Sequence, residues 1–328
     1  MKMFSSMITI VDGVMDKGLK FYRNRWIRLA TQILVLGICS IFVYRYSSDI
    51  INVAGQLRIN AGRVLLSWFI LSIIYLFIGT TSWWCILKGL GESPGWITSA
   101  HIQLTSTLAK YVPGYIWQYV GKAVMSKEMG ITSFVSGTAM ALELGQTLLL
   151  GAGIAFLTFS TPSSLGIGGL EKIQKVAFPF GILIILGSVI TAWIFPFIAP
   201  KAFKAKPLRP EFLFASVILI TMGWFMLSFS FWLLGTSLTP LITAHDLQTF
   251  VFATSLSIVT SILFLLAPNG LGVREGVLVF VLGSVLSIPL AIVFAAAARL
   301  LVTICELSSA FLMSLYHRYD LFHKKDPF

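Results

Sequence analysis

Two short stretches of the sequence combine helix-breaking residues with charge inside long apolar surroundings. Residues 108–122 read LAKYVPGYIWQYVGK, and residues 266–278 read LAPNGLGVREGVL. Proline removes a backbone donor, glycine permits tight turns, and freed backbone polar groups are costly in lipid unless protein or water satisfies them. Such breaks are tolerated where they line a polar cavity, although an ordinary turn at the membrane surface is the alternative. The predicted helix breaks are Pro113, Gly114, Pro268, Gly270 and Gly272.

Four basic side chains lie beside these breaks or inside an apolar helix, and we predict that they bind a lipid headgroup. An arginine near helix N-terminal amides suits a phosphate, which it holds through two parallel hydrogen bonds. Arg274 follows the second break at the start of a helix, where snorkelling to surface headgroups is the alternative. The aromatic residues around the first break are also consistent with simple interfacial anchoring. The four predicted headgroup contacts are Lys110, Lys122, Arg274 and Arg299.

Three carboxylates accompany these cations, and we predict that they balance the positive charge or exchange protons. Glu275 lies in a first helical turn, where a carboxylate also complements the helix dipole. Glu143 and Glu306 lie deep in apolar helices, where ionisable groups usually face a bundle interior or cavity. For Arg299 the candidate partners are Glu143 and Glu275, and a purely structural salt bridge is the alternative.

The composition predicts an integral membrane protein. The 328 residues are 57% hydrophobic and 11% charged, with a mean hydropathy of +0.88, which is too apolar for a water-soluble domain of this length. Uncharged runs of about 20 residues or more are long enough to cross the hydrocarbon core. These runs cover residues 64–87, 144–170, 176–200, 212–245, 247–273 and 276–298.

The residue types predict neither an enzyme nor a cofactor or metal site. The three cysteines lie inside apolar runs without paired spacing, and the four histidines lack clustered carboxylates. No nucleophile–base motif and no phosphate-binding loop of a nucleotide-dependent enzyme is recognisable. The net charge of +11 is concentrated beside the membrane spans, as in proteins that follow the positive-inside rule, so we do not expect nucleic acid as a partner.

The basic segments also predict an orientation. Placing them in the cytoplasm puts both termini inside, with outward spans at 27–43, 134–159 and 212–236 and inward spans at 64–87, 176–199 and 291–316. The predicted domain organisation is a basic cytoplasmic leader over 1–26, a single transmembrane domain over 27–316, and a basic cytoplasmic tail over 317–328. The leader is either an amphipathic helix or a partly ordered segment. The predicted location is the cytoplasmic (inner) membrane of a bacterium or archaeon.

Two segments are too short to be simple spans. Residues 97–112 and 276–290 each cover less than the ~30 Å hydrocarbon core at about 1.5 Å per residue, and each lies beside a Pro-Gly break. Paired interrupted helices in corresponding halves are typical of transporter sites near the membrane midplane. The fold prediction is therefore an all-α polytopic membrane protein of about eight transmembrane helices. It includes two re-entrant hairpins, within 97–121 and 247–290, in a weak inverted repeat, with full spans as the alternative.

At these motifs the chain resembles the flippase-like membrane domain family, also called the lysylphosphatidylglycerol synthase transmembrane region. The run PNGLGVREGV followed by AAAARLLV is similar to the family's P-x-G-x-G-x-x-E and downstream Arg pattern, and KYVPGYIWQYVGK is similar to its K-Y-x-P-G-x-x-W segment. Lys122 and Asn269 depart from it, since Arg and a small residue are common there, and a lysine lacks the bidentate geometry of arginine. The resemblance covers about residues 20–318. It assigns importance to Lys110, Pro113, Gly114, Pro268, Gly270, Gly272, Glu275 and Arg299.

The resemblance implies lipid translocation linked to the cell envelope and polysaccharide biosynthesis. It does not imply the synthase activity, because the sequence to Phe328 shows no counterpart of the aminoacyl-transferase domain of the full synthases. We therefore expect a flippase-like transporter of an anionic phospholipid or a polyprenyl-phosphate-linked glycolipid. The alternatives are a non-transporting scaffold for a glycosyltransferase or lipid-modifying enzyme and, less directly, an intramembrane transferase acting on a lipid phosphate. The expected partners are membrane lipids and such an enzyme.

Overall fold

The computed structural model describes residues 44–57, 59–111, 117–159, 170–198, 207–264 and 272–324, and the regular structure in these ranges is helical. The predicted leader, the span 27–43 and the breaks at Pro113, Gly114, Pro268 and Gly270 lie outside the described residues. The helices are α1 (Ser47–Gln56), α2 (Ala61–Gly89), α3 (Trp96–Leu108), α4 (Trp117–Glu128), α5 (Ser133–Leu157), α6 (Leu170–Ile198), α7 (Pro210–Leu238), α8 (Leu247–Leu263), α9 (Val273–Leu282) and α10 (Ile288–Lys324).

Six helical segments in the described part are long and apolar enough to cross a membrane. Large apolar side chains such as Phe197 and Leu183 on α6 are mostly exposed, which is expected where lipid covers the surface. The prediction of a multi-pass helical membrane protein is therefore confirmed. The six segments are Ala61–Gly89, Ser133–Leu157, Gln174–Phe197, Pro210–Leu238, Ala244–Leu263 and Ile288–His317.

Four of the described helices are too short to cross the bilayer alone. At about 1.5 Å per residue, α1, α3, α4 and α9 reach only about 15, 20, 18 and 15 Å, because they contain 10, 13, 12 and 10 residues. The segment 276–290, which we predicted to be one short piece, is divided between two helices. α9 ends at Leu282, and α10 begins at Ile288 with Pro289 in its first turn, where proline is tolerated because its missing donor would have no helical partner.

Small and hydroxylated residues bring the long helices together. A Cβ atom placed on Gly181 of α6 would lie 2.7 Å from the carbonyl oxygen of Gly153 on α5, so the two backbones are in direct contact. Ser67 on α2 and Ser230 on α7 are fully buried, and their hydroxyl oxygens lie 2.8 Å apart. Close backbones and interhelical hydroxyl contacts are the usual means of helix association where lipid is the solvent.

One helix carries an irregular turn that matters for the site. α2 is π-helical over Ile74–Gly79, between α-helical segments on both sides. Such a segment changes the helical phase and is frequent near functional residues. Tyr75 lies in it and packs beside two apolar clusters, one built around Phe231, Phe250 and Phe294 and a smaller one around Leu104 and Met313.

Candidate functional site

The ends of the two broken elements meet on α10. Lys110, which follows α3 in a short 3-10 turn, forms an ion pair with Oε1 of Glu306. The hydroxyl of Tyr111 donates to Oε2 of the same carboxylate at 2.5 Å. Only 2% of the Glu306 side chain is exposed, so the first broken element is fixed to α10 by a nearly buried charged contact.

Tyr75 completes the surroundings of Glu306. It lies in the π-helical turn of α2, within electrostatic range of the carboxylate. Lys110 and Tyr111 thus give each oxygen of Glu306 a donor, as a buried carboxylate requires, and Tyr75 lies beside the pair. Sequence reasoning missed Tyr75, because a tyrosine inside a long apolar run is indistinguishable from a packing residue and no sequence signal marks the π-helical phase shift.

The second broken element contacts α10 through Glu275. Nη1 of Arg299 lies 3.6 Å from Oε1 of Glu275, one of the two predicted partners. The other carboxylate oxygen accepts from the backbone N–H of Gly272 at 2.8 Å and closes the first turn of α9. Gly272 has φ +82°, a backbone conformation that disfavours side chains. The glycine and the glutamate therefore form a cap that aims the start of α9 at α10.

Arg274 is a third cation in this region, and neither Glu306 nor Glu275 forms an ion pair with it. Its guanidinium packs 5.6 Å from the centre of the Phe231 ring, and within the described residues it has neither a hydrogen bond nor an ion pair. It is half-buried and lies within electrostatic range of Arg299, Glu275 and Glu306. We call Lys110, Glu306, Arg274, Glu275 and Arg299 the charged junction; with three cations and two carboxylates its formal charge is +1.

The remaining predicted residues form a separate polar cluster between α2, α3, α4 and α5. Nζ of Lys122 lies 2.5 Å from Oε2 of Glu143, and the Gln103 side chain donates to Oε1 at 2.9 Å. Glu143 therefore pairs with Lys122, whereas the alternative partner that we considered for it was Arg299. The ammonium of Lys122 also lies 3.6 Å from the centre of the Trp83 ring, which attracts a cation through its π face. We call Lys122, Glu143, Gln103 and Trp83 the lysine cluster.

The arrangement is suited to binding an anion. In the described ranges no group of three or more His, Cys, Asp or Glu side chains gathers as metal ligands would. The charged junction instead contains one surplus cation, Arg274. It packs against the apolar Phe231 and lies near two carboxylates that are already paired. A charge in such surroundings is stabilised by a counter-ion, and an oxyanion is the natural ligand of a guanidinium.

Fold and site together define a multi-pass helical membrane protein in which the ends of short helices form ion pairs with a long helix, α10. Comparison with protein-family models gave no match, and no curated protein matched the chain.

Proposed function

We propose that the chain is a flippase-like transporter that moves an anionic lipid headgroup through the charged junction. The observation that carries the proposal is the unbalanced guanidinium of Arg274. Lys110, Lys122 and Arg299 each face a carboxylate, whereas no described carboxylate neutralises Arg274. A phosphate oxygen from a phospholipid or a polyprenyl-phosphate-linked glycolipid would supply the missing charge, with Arg299 and Lys110 as further contacts.

The proposed architecture places this junction near the membrane midplane. We propose that α3 with α4, and α8 with α9, are re-entrant hairpins that enter from the cytoplasmic and the opposite face respectively. The shortness of α3, α4 and α9 supports this arrangement. So do the two ion pairs of α10, in which Glu306 contacts Lys110 of the first hairpin and Arg299 contacts Glu275 of the second. Because α8 is counted within the second hairpin, five of the six long segments remain as full spans. With the predicted span 27–43 and the two hairpins they give the proposed count of eight in a weak inverted repeat.

An exposed apolar stripe on α4 supports its position inside the membrane. Trp117, Val120 and Val124 are 40–51% exposed on one face, whereas Lys122 and Ser126 on the other faces are buried. A helix in water would present the opposite pattern. A hairpin that turns its apolar side to lipid and its polar side to the protein fits both observations.

The proposed setting is the cytoplasmic membrane of a bacterium or archaeon, with both termini in the cytoplasm. The family proposal is the flippase-like membrane domain, and it rests on the two motif resemblances around Lys110 and Glu275. Membrane lipids are the proposed partners, together with a glycosyltransferase or lipid-modifying enzyme that makes or consumes the transported lipid. Lys122 remains a proposed contact of the headgroup. It can bind the headgroup only after its ion pair with Glu143 is broken.

Reconstitution into phosphatidylcholine vesicles tests the proposal. Fluorescent phosphatidylglycerol, a fluorescent polyprenyl-phosphate sugar and fluorescent phosphatidylcholine are compared for movement between leaflets. We expect at least one anionic lipid to move faster than in protein-free vesicles while the zwitterionic lipid does not. If neither anionic lipid moves faster than in protein-free vesicles, the transporter proposal is wrong and a scaffold role is favoured.

A further inference from the structure

Two histidine rings stack where the beginning of α3 meets the far end of α10. The ring centres of His101 and His317 lie 4.1 Å apart, and the ring planes are inclined to each other by 17°. His101 lies in the second turn of α3, and His317 is the last residue of the apolar segment Ile288–His317. This histidine stack therefore joins α3 to α10 at a point outside the charged junction.

The histidine stack and the Lys110–Glu306 pair lie at opposite ends of one helix contact. His101 precedes Lys110 in the sequence, whereas His317 follows Glu306, so α3 and α10 run antiparallel where they pack. Each of the two contacts thus holds one end of α3 against α10. Between them lies a small apolar cluster, whose buried members are Ala100, Leu104, Ala310 and Met313.

The buried ring nitrogens restrict the protonation state of the stack. Nδ1 of His101 and Nδ1 of His317 are both buried, and neither has a hydrogen-bond partner among the described residues. A neutral imidazole that carries its proton on Nε2 leaves only a lone pair at the buried Nδ1. An imidazolium carries a proton on both nitrogens, so it would place a charged donor at a buried position without an acceptor, which is costly. The stacked arrangement therefore favours two neutral rings.

No described carboxylate compensates a positive charge on His101. Among the described residues, the ionisable group that acts electrostatically on it is His317. Two positive charges at the distance of these rings repel each other. Protonation of both rings therefore opposes the stack in two ways, through the unsatisfied Nδ1 donors and through repulsion between the rings.

The other ionisable groups around α3 and α10 lie at separate sites. Lys88 of α2 lies over the Trp84 ring, and Lys122 of α4 pairs with Glu143. The charged junction and the neighbouring Tyr75 surround Glu306, at the other end of the helix contact. None of these groups acts electrostatically on His101. The remaining described groups on the elements packed against α3 and α10 are exposed or half-buried, and they are Asp49, Arg63, Glu92, Lys127, Glu128, Glu211 and Tyr316.

We propose that the histidine stack is an acid-sensitive latch, which holds the beginning of α3 against α10 while both rings are neutral and releases it when they are protonated. On release each ring takes one proton from water at Nδ1, and no other bond changes. The separated rings bind protons more readily than the stacked rings, so by linkage a fall in pH favours separation. The transition belongs to the range around pH 6.5, where a free imidazole titrates at about that value. The other end of α3 stays attached, because the Lys110–Glu306 pair contains no imidazole.

Double electron–electron resonance on the full chain in phosphatidylcholine nanodiscs tests the latch. One spin label is attached at Gly95→Cys, the exposed N-cap of α3, and the other at Tyr316→Cys, an exposed position beside His317. The three native cysteines are replaced by serine. Label distances are compared at about pH 7.5 and about pH 5.5, on either side of the free imidazole value of about 6.5. We expect a longer distance to appear in acid, with the ratio of the longer to the shorter distance rising by about tenfold.

Phenylalanine variants separate protonation from ring packing. The double variant His101→Phe/His317→Phe retains two aromatic rings that cannot take up protons, so it should keep the shorter distance at both pH values. If it does not fold, His317→Gln serves instead and should reduce the response to acid. The matched control is His245→Phe, at an exposed histidine before α8, and it should respond as the labelled parent chain does. Asp320→Asn, which alters the first acidic residue after His317 in the sequence, should also respond as the parent does.

Three results would overturn the latch. They are label distances that do not change with pH, a double phenylalanine variant (or, in its place, His317→Gln) that responds to acid as strongly as the parent chain, and a response that disappears in His245→Phe or Asp320→Asn. Because no lipid has to move in this measurement, its result is independent of the vesicle assay, and each proposal can fail alone.

Discussion

Arg299 of α10 and Glu275 of α9 lie 3.6 Å apart, between Nη1 and Oε1, although 24 positions separate them in the sequence. Their contact fixes the start of the second broken element against the longest helix of the described chain. Lys110 fixes the first broken element to the same helix two turns away, at Glu306. Both carboxylates of the charged junction are therefore paired, and Arg274 is the cation of the junction that has no paired carboxylate.

Replacing Glu306 by Gln should destabilise the protein strongly. The substitution leaves the largely buried Lys110 ammonium without its counter-ion, and breaking a buried pair in this way costs about 3–5 kcal/mol. The free energy of unfolding in mixed detergent micelles measures the effect. Glu211→Gln, which removes a carboxylate from an exposed position, should change it by less than about 0.5 kcal/mol. Equal effects of the two substitutions would show that the Lys110–Glu306 contact is unimportant for stability.

Gly272→Ala should loosen the start of α9. At φ +82° an alanine is strained, which costs about 1–3 kcal/mol, and relief of that strain would pull the backbone N–H away from Glu275. Gly276→Ala is the matched control, because Gly276 is helical, exposed and has open space around its Cβ position. The same unfolding measurement should show a loss for Gly272→Ala and no loss for Gly276→Ala, and a tolerated alanine at 272 would contradict the cap.

Gly181→Ala should separate α5 from α6. The added methyl group would lie 2.7 Å from the Gly153 oxygen and 2.8 Å from the Leu157 nitrogen, both of them backbone atoms. Overpacking of this kind costs about 1–3 kcal/mol. Gly187→Ala on the same helix meets no atom within 4 Å and should be neutral or stabilising, since alanine favours the helix. Similar unfolding free energies for both variants would mean that the helices are not in backbone contact at this point.

The long spans could be predicted from the sequence because an uncharged run of sufficient length has few alternatives in lipid. The run at 64–87 is α2, and the run at 212–245 contains most of α7. The boundary between α9 and α10 could not be predicted in the same way. The residues from Gly276 to Pro289 are uncharged throughout, so charge does not show that α9 ends at Leu282.

The pairing of the charges was only partly predictable. Sequence position places Arg299 and Glu275 at helix faces that can meet, and the structure pairs them. The partner of Glu143 depends on how α4 packs against α5, which local sequence does not determine, and the partner is Lys122. Tyr75 was not predictable at all, because its approach to Glu306 depends on the π-helical turn of α2.

The central claim is that Arg274 holds the phosphate of a translocated lipid. Its most direct test is the rate at which fluorescent anionic lipid changes leaflet in phosphatidylcholine vesicles containing Arg274→Gln, Arg274→Lys or the wild type. Loss of a charge-assisted contact worth about 1.5–3 kcal/mol corresponds to about a 10- to 100-fold change. We therefore expect Arg274→Gln to slow lipid movement by that factor and Arg274→Lys to retain an intermediate rate. The control is Arg209→Gln, at an exposed position at the start of α7, and this variant should move lipid at the wild-type rate. An Arg274→Gln protein that folds and moves the lipid as fast as the wild type would contradict the claim.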